Sequence, residues 1–253
     1  METIPKPKLI GVKELINLTL KTYADNWQKF ATLLIIPLTL SFLMNLTFYG
    51  LQFYENLWLW LIWESVMVVF FIAFIALYFF SYLSQFLLLG NLDQEVSFSN
   101  LKDWYKKTLP YIWPMAMVSL VYSIFAILGF IALIIPGIVI MVYYSFAIYA
   151  VMFENNKFEG AFGRSRELVK GYWWAVFGRF VAGILLIYLA YLSLSAIFWL
   201  LHWGMVFLFN FFISTDLAGL LYNLLSVFMG LVAGPLAIIY TYKIYNSLKE
   251  MKQ

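Results

Sequence analysis

Apolar runs long enough to cross a lipid bilayer recur six times in this chain, at residues 30–50, 60–88, 111–134, 137–153, 177–202 and 217–242. A helix rising 1.5 Å per residue needs roughly 20 apolar residues to span a hydrocarbon core about 30 Å thick. In hydrocarbon each backbone amide must find its partner within the protein, so runs of this kind fold as helices. A water-soluble fold has no place for them: the 253 residues are 64% hydrophobic, 21% aromatic and 11% charged, against about 45–50% apolar and 25% charged in ordinary globular domains. The fold class expected is all-α, an integral membrane helical bundle of six transmembrane helices with three amphipathic interfacial helices on the cytoplasmic side. Residues 1–253 read as a single polytopic domain.

The sixteen Lys and Arg residues test that map. Lys6, Lys8, Lys13, Lys21 and Lys29 precede the first run, and Lys102, Lys106 and Lys107 lie between the second and third. Lys157, Arg164, Arg166, Lys170 and Arg179 fall around the junction of the fourth and fifth, and Lys243, Lys249 and Lys252 follow the sixth. With an even number of crossings all of these positions share one side, which the bias of Lys and Arg toward cytoplasmic loops makes the inner one. The opposite loops carry no cation, and Trp58, Trp60, Trp63, Trp199 and Trp203 cluster there as an interfacial belt. Residues 203–215 are too short to cross again and read as an extension of the fifth helix or an interfacial segment. The charged amino terminus has no short apolar stretch followed by a cleavage site, so a removable signal peptide is not expected.

Three segments just before crossings share a pattern. In 158–181, "FEGAFGRSRELVKGYWWAVFGRFV", Phe158, Ala161, Phe162, Leu168, Val169, Tyr172, Trp173, Val176, Phe177 and Phe180 recur at helical spacing. The charges fall mostly elsewhere, as they would on a helix lying among lipid headgroups. Residues 9–30 and 97–113 look alike, and the pairs Lys21/Trp27, Lys107/Trp113 and Lys170/Trp174 are similarly spaced. A threefold repeat of amphipathic helix plus hairpin follows, over 8–88, 97–153 and 158–246. The expected headgroup contacts are Lys21, Lys107, Arg164, Arg166, Lys170 and Arg179, with anionic lipid rather than nucleic acid as the partner.

Pro136 and Gly137 in "IIPGIV" read as the tight turn of a hairpin between the third and fourth runs. Ser226, Gly230 and Gly234 place a small residue at every fourth position of the sixth run, a helix-packing signal. Pro235 is expected to kink the same helix.

Glu64 is the candidate intramembrane acid, weighed as a proton carrier and as a residue reaching the outer interface beside Trp60 and Trp63; the second reading is preferred. Glu55 and Glu64 are out of phase on a helix and make no metal pair. His202, the single histidine, and Asp216 are candidates for an outer pocket. Without cysteine there is no disulfide, thiolate metal site or cysteine nucleophile. Zinc, P-loop, nucleophile-elbow and dinucleotide patterns are absent too, so no cofactor or metal is expected and an enzyme is the least favoured class.

The segment from "IIPGIV" through "VFGRF" resembles the membrane domain associated with glycerophosphoryl diester phosphodiesterases and related inner-membrane families. The match rests on Pro136, Gly137, Glu154, Ala161, Ser165, Glu167, Leu168, Lys170, Gly171 and Trp174. The resemblance implies a bacterial or archaeal plasma-membrane protein concerned with lipid or envelope handling, and it transfers no catalytic residue. The leading expectation is a non-catalytic membrane module that holds lipid headgroups and supports a membrane-protein partner, with both termini cytoplasmic. Within it Glu154 and Arg164 form a structural pair. The alternatives are a secondary transporter of a small amphiphile or solute using Glu64, and an outer-face lipid-modifying enzyme around His202 and Asp216.

Overall fold

The computed structural model describes residues 9–50, 57–97, 99–154, 158–208 and 215–252. Among them every regular element is a helix: α1 (Val12–Gly50), α2 (Leu57–Leu89), α3 (Leu101–Ala132), α4 (Ile134–Tyr144), α5 (Ala147–Glu154), α6 (Phe158–Val169), α7 (Trp173–Leu208) and α8 (Thr215–Lys252). Five stretches are long and apolar enough to cross a membrane, namely Val12–Met44, Leu61–Leu89, Leu101–Ala132, Ile134–Glu154 and Trp173–Leu201. The sixth expected run falls within α8, where most side chains from 215 to 232 lie outside the described residues.

The helices start and stop where local chemistry permits. Residues 12–30 contain neither Gly nor Pro, so nothing ends the first amphipathic segment and α1 carries it unbroken into the first apolar run. The second expected interfacial helix is likewise the start of α3, which runs through Pro110 and Pro114. The third stands apart, but shorter than its apolar stripe predicts. Gly171, at φ +89°, ends α6 and turns the chain into α7, in the left-handed region that favours glycine. The amide of Tyr172 closes that turn on the carbonyl of Val169 at 2.9 Å.

The reversal between α3 and α4 does not fall at Pro136 and Gly137. It falls at Leu133, whose extended backbone separates the two helices, while both predicted turn residues lie in the first turn of α4. A proline is tolerated there because the amides of a first helical turn have no intrahelical acceptor. Gly137 serves a close approach instead: a Cβ on it would come within 2.7 Å of the Phe130 ring, and one on Gly129 within 2.8 Å of the Gly137 Cα. The run expected as one helix over 137–153 is itself divided by a turn at Ser145 and Phe146. α7 continues to Leu208, extending the fifth expected helix.

In the bundle α1 lies against α8 and α2, α3 against α4 and α2, and α7 against α8, while α6 rests on α5, α4 and α8. Burial is lopsided. Leu15, Phe30, Leu33, Leu83, Phe86, Leu88, Met115, Phe146, Leu168, Ile239, Tyr245 and Leu248 are fully enclosed. Those of α1, α3, α6 and α8 lie in the parts of these helices that carry Lys or Arg, and those of α2 in the half that leads toward Lys102. The other halves are bare: Val68, Val69, Phe71 and Ile72 of α2, Ile127, Leu128 and Ile131 of α3, and Ile184, Leu189 and Leu200 of α7 are all exposed. Such continuous apolar surface on three helices requires lipid as its solvent.

Candidate functional site

α6 is the element through which the basic end is built. Its Ala161, Ser165 and Leu168 are completely buried, at the i, i+4, i+7 spacing of one helix face. Ser165 sits against the turn that separates α4 from α5. Its hydroxyl donates to the Tyr143 carbonyl at 2.7 Å and accepts the Phe146 amide at 3.1 Å, so one side chain partners two backbone groups that the broken helix leaves free. Phe146, fully enclosed, packs its ring against Tyr149, Phe180 and Tyr245.

Glu154, the last residue of α5, receives Arg164 from α6 through Nε at 2.7 Å and Nη2 at 3.4 Å. The Tyr245 hydroxyl of α8 donates to the same carboxylate at 2.7 Å, and Lys249 Nζ lies 3.8 Å away. Arg164 also donates to Glu167 at 3.0 Å. The carboxylate acceptors, Glu154 foremost, hold the Arg164 guanidinium above its usual range. Burial and, after it, the adjoining carboxylate push the Tyr245 phenol up, so it stays protonated as the donor. Three helices thus converge on one acid. Its partners Tyr245 and Lys249 carry no sequence signal beyond an aromatic and a cation one turn apart.

A second clamp joins the amino-terminal segment. Arg179 of α7 donates through Nε to the Ile10 carbonyl at 2.8 Å, through Nη2 to that of Leu9 at 3.2 Å, and through Nη1 to Ala175 at 2.7 Å. The Ile10 amide donates to Ser247 of α8 at 3.1 Å. Lys252 reaches the Lys170 carbonyl at 3.1 Å, and Tyr240 donates to the Arg179 carbonyl at 2.7 Å.

These contacts divide the six cations expected at headgroups. Arg164 and Arg179 direct their guanidinium groups to acceptors within the protein. Lys107 donates to Gln94 at 3.1 Å and lies over the Trp104 ring. Lys21, Arg166 and Lys170 project from the surface. Trp27, Trp113 and Trp174, the tryptophans spaced with these cations, are 53, 74 and 77% exposed, which places them outside the core as amphipathic surface rings.

Polar side chains that the sequence reading passed over join α2 to α3. Ser84 and Thr108, both buried, share a hydrogen bond at 3.0 Å. Tyr105 bonds Ser81 at 3.2 Å and donates to the Leu33 carbonyl of α1 at 3.0 Å. Hydroxyls bridging helices in this way act as links where apolar contact alone discriminates little.

Glu64 is exposed on α2 and lines neither the apolar groove between α1, α2 and α3 nor that between α1, α7 and α8. Among the described residues nothing lies within 4 Å of a Cβ placed on Gly234. The side chains at Ser226, Gly230, His202 and Asp216 lie outside the described residues, and with them the outer pocket. Among the described residues no group of three His, Asp or Glu side chains is placed to hold a metal.

Fold and site together define an all-helical, multi-pass membrane protein knit at its basic end. No family model matches the sequence, and no curated protein or solved structure matches it significantly.

Proposed function

We propose that this chain is a non-catalytic six-span module of a bacterial or archaeal plasma membrane, with both termini and the basic end in the cytoplasm. It holds anionic lipid there and supports a lipid-processing or export partner. α8 supplies the sixth crossing. The family resemblance points the same way.

The observation carrying this reading is the division of labour at the basic end. Arg164 and Arg179 lock the helices together, while Arg166 and Lys170 stand exposed a few residues before the 77% exposed Trp174 in sequence. A cation next to an amphipathic ring suits the headgroup layer, each contributing roughly 1 kcal/mol against an anionic surface. The test is thermal unfolding in nanodiscs of phosphatidylcholine with and without phosphatidylglycerol. The anionic lipid stabilises the native chain, and Arg166→Gln/Lys170→Gln removes most of that gain. Equal melting in both lipids rejects the reading. The transporter reading through Glu64 gains nothing from an acid that faces outward from the bundle.

A further inference from the structure

The groove between α1, α2 and α3 is an open, largely apolar hollow near the basic end. It offers about 450 Å³ between Ile36 of α1, Phe80 of α2 and Leu101, Tyr105 and Leu109 of α3, with Lys102 and Lys106 also lining it. That volume falls in the roughly 300–1,000 Å³ range of small-molecule sites. The two lysines are one helical turn apart and therefore side by side, about 5–6 Å between their Cβ atoms. Leu109 lies a further three residues along α3, roughly 5 Å deeper toward the apolar run at 1.5 Å per residue. The wall is fixed, because Tyr105 is tied to Leu33 and Ser81.

Lys102 and Lys106 differ from their neighbours in having nothing to do. Lys29 caps the Leu92 carbonyl at 2.5 Å and Lys107 donates to Gln94, whereas neither groove lysine makes a hydrogen bond or ion pair with any described residue. No acidic side chain lines the groove. Two unengaged cations over an apolar slot complement an anion carrying an alkyl chain, and basic pockets between membrane helices take lipid head groups in this manner.

We propose that this groove binds one anionic glycerophospholipid, its phosphate between Lys102 and Lys106 and one acyl chain between Ile36, Phe80 and Leu109. The proposal rests on the lipid-holding reading above and adds a particular site to it. The phosphate belongs to a lipid and not to a free anion, because five of the seven lining residues, Ile36, Phe80, Leu101, Tyr105 and Leu109, would otherwise face an unfilled, mostly apolar space.

The experiment uses the full chain in phosphatidylcholine nanodiscs doped with a trace of phosphatidylglycerol bearing a photoreactive diazirine midway along one acyl chain. Mass spectrometry then locates the adducts. The expected result is labelling at Ile36, Phe80 or Leu109 that is stronger than with phosphatidylcholine carrying the same chain. It falls roughly fivefold for each of Lys102→Gln and Lys106→Gln, falls with Leu109→Trp, which fills the slot, and persists in excess inorganic phosphate. Equal labelling by the two lipids, or labelling unchanged in both Lys→Gln variants, overturns the site. So does displacement by inorganic phosphate, which would make it an anion site. Melting of the same nanodiscs separates the failures: anionic stabilisation that needs Arg166 and Lys170 but not Lys102 and Lys106 leaves the broader reading intact while the groove assignment falls.

Discussion

Arg164 grips Glu154 through two nitrogens, Nε at 2.7 Å and Nη2 at 3.4 Å, ten residues apart in sequence and on different helices. With side chains only 22 and 14% exposed, the pair is shielded enough for a charge-assisted fork to matter. Arg164→Glu is expected to destabilise the bundle by roughly 1–3 kcal/mol, the range for a lost hydrogen bond to a charged group. Adding Glu154→Arg restores part of this, and only part, since the new cation would face Lys249 and lose the Tyr245 bond. Thermal unfolding of the three variants measures it; no restoration at all removes the direct pairing.

Ser165→Ala leaves the Phe146 amide and the Tyr143 carbonyl without their shared partner in a buried site. The expected cost is about 1–3 kcal/mol. Amide hydrogen exchange supplies the specific readout: protection at Phe146 drops more than protection along α3. Unchanged exchange there would show that the hydroxyl is not the partner that matters.

Two glycines within six residues of that serine are expected to answer to alanine with opposite signs. Gly171, at φ +89°, meets strain of roughly 1–2 kcal/mol from a Cβ although its surroundings are open. Gly163 is a mid-helix residue with nothing near its Cβ position, so alanine gains about 0.5–1 kcal/mol in backbone entropy. A melting series with both single variants decides the matter, and equal signs would contradict the boundary drawn between α6 and α7.

Gly129→Ala is expected to lower stability by about 1–3 kcal/mol, because its Cβ would press on the Gly137 Cα, a backbone atom that cannot swing aside. Gly11→Ala, with open space, serves as the comparison. Equal melting of the two variants would deny the close crossing of α3 and α4.

The absence of native cysteine makes sidedness directly measurable. Lys102→Cys and Arg166→Cys are both exposed positions, and under the topology proposed here a membrane-impermeant maleimide reaches them only after the cells are opened. Labelling of either in intact cells would dismantle the six-crossing scheme.

Helices and apolar runs were legible in the sequence because hydrophobic length is a strong, local signal. The pairing of Glu154 with Arg164 was anticipated too, from their places around the loop between α5 and α6. What escaped was set by local stops and by tertiary partners. Pro136 and Gly137 looked like a turn because that dipeptide commonly marks one, yet the proline fits a first helical turn and the glycine answers the Phe130 ring. Gly171 cut short a stripe whose apolar spacing continues past it, since periodicity carries no information on φ. Arg179 was grouped with headgroup cations by its sign, while its acceptors, the carbonyls of Leu9 and Ile10, lie far away in sequence.

Under the topology proposed here, the uneven burial along these helices gives the two leaflets different neighbours. In the inner one, lipids meet a knot: α6 wedged beneath the bundle, an acid held from three sides, and an amino-terminal strand of chain pinned by Arg179. In the outer one they meet rods, for the α7 stretch from Trp173 to Leu201 contains an 18-residue window with no buried residue at all. The grooves lined by Ile36, Phe80 and Leu109 and by Ile16, Gly183 and Tyr240 open at the tethered end, where the packed core supplies their walls.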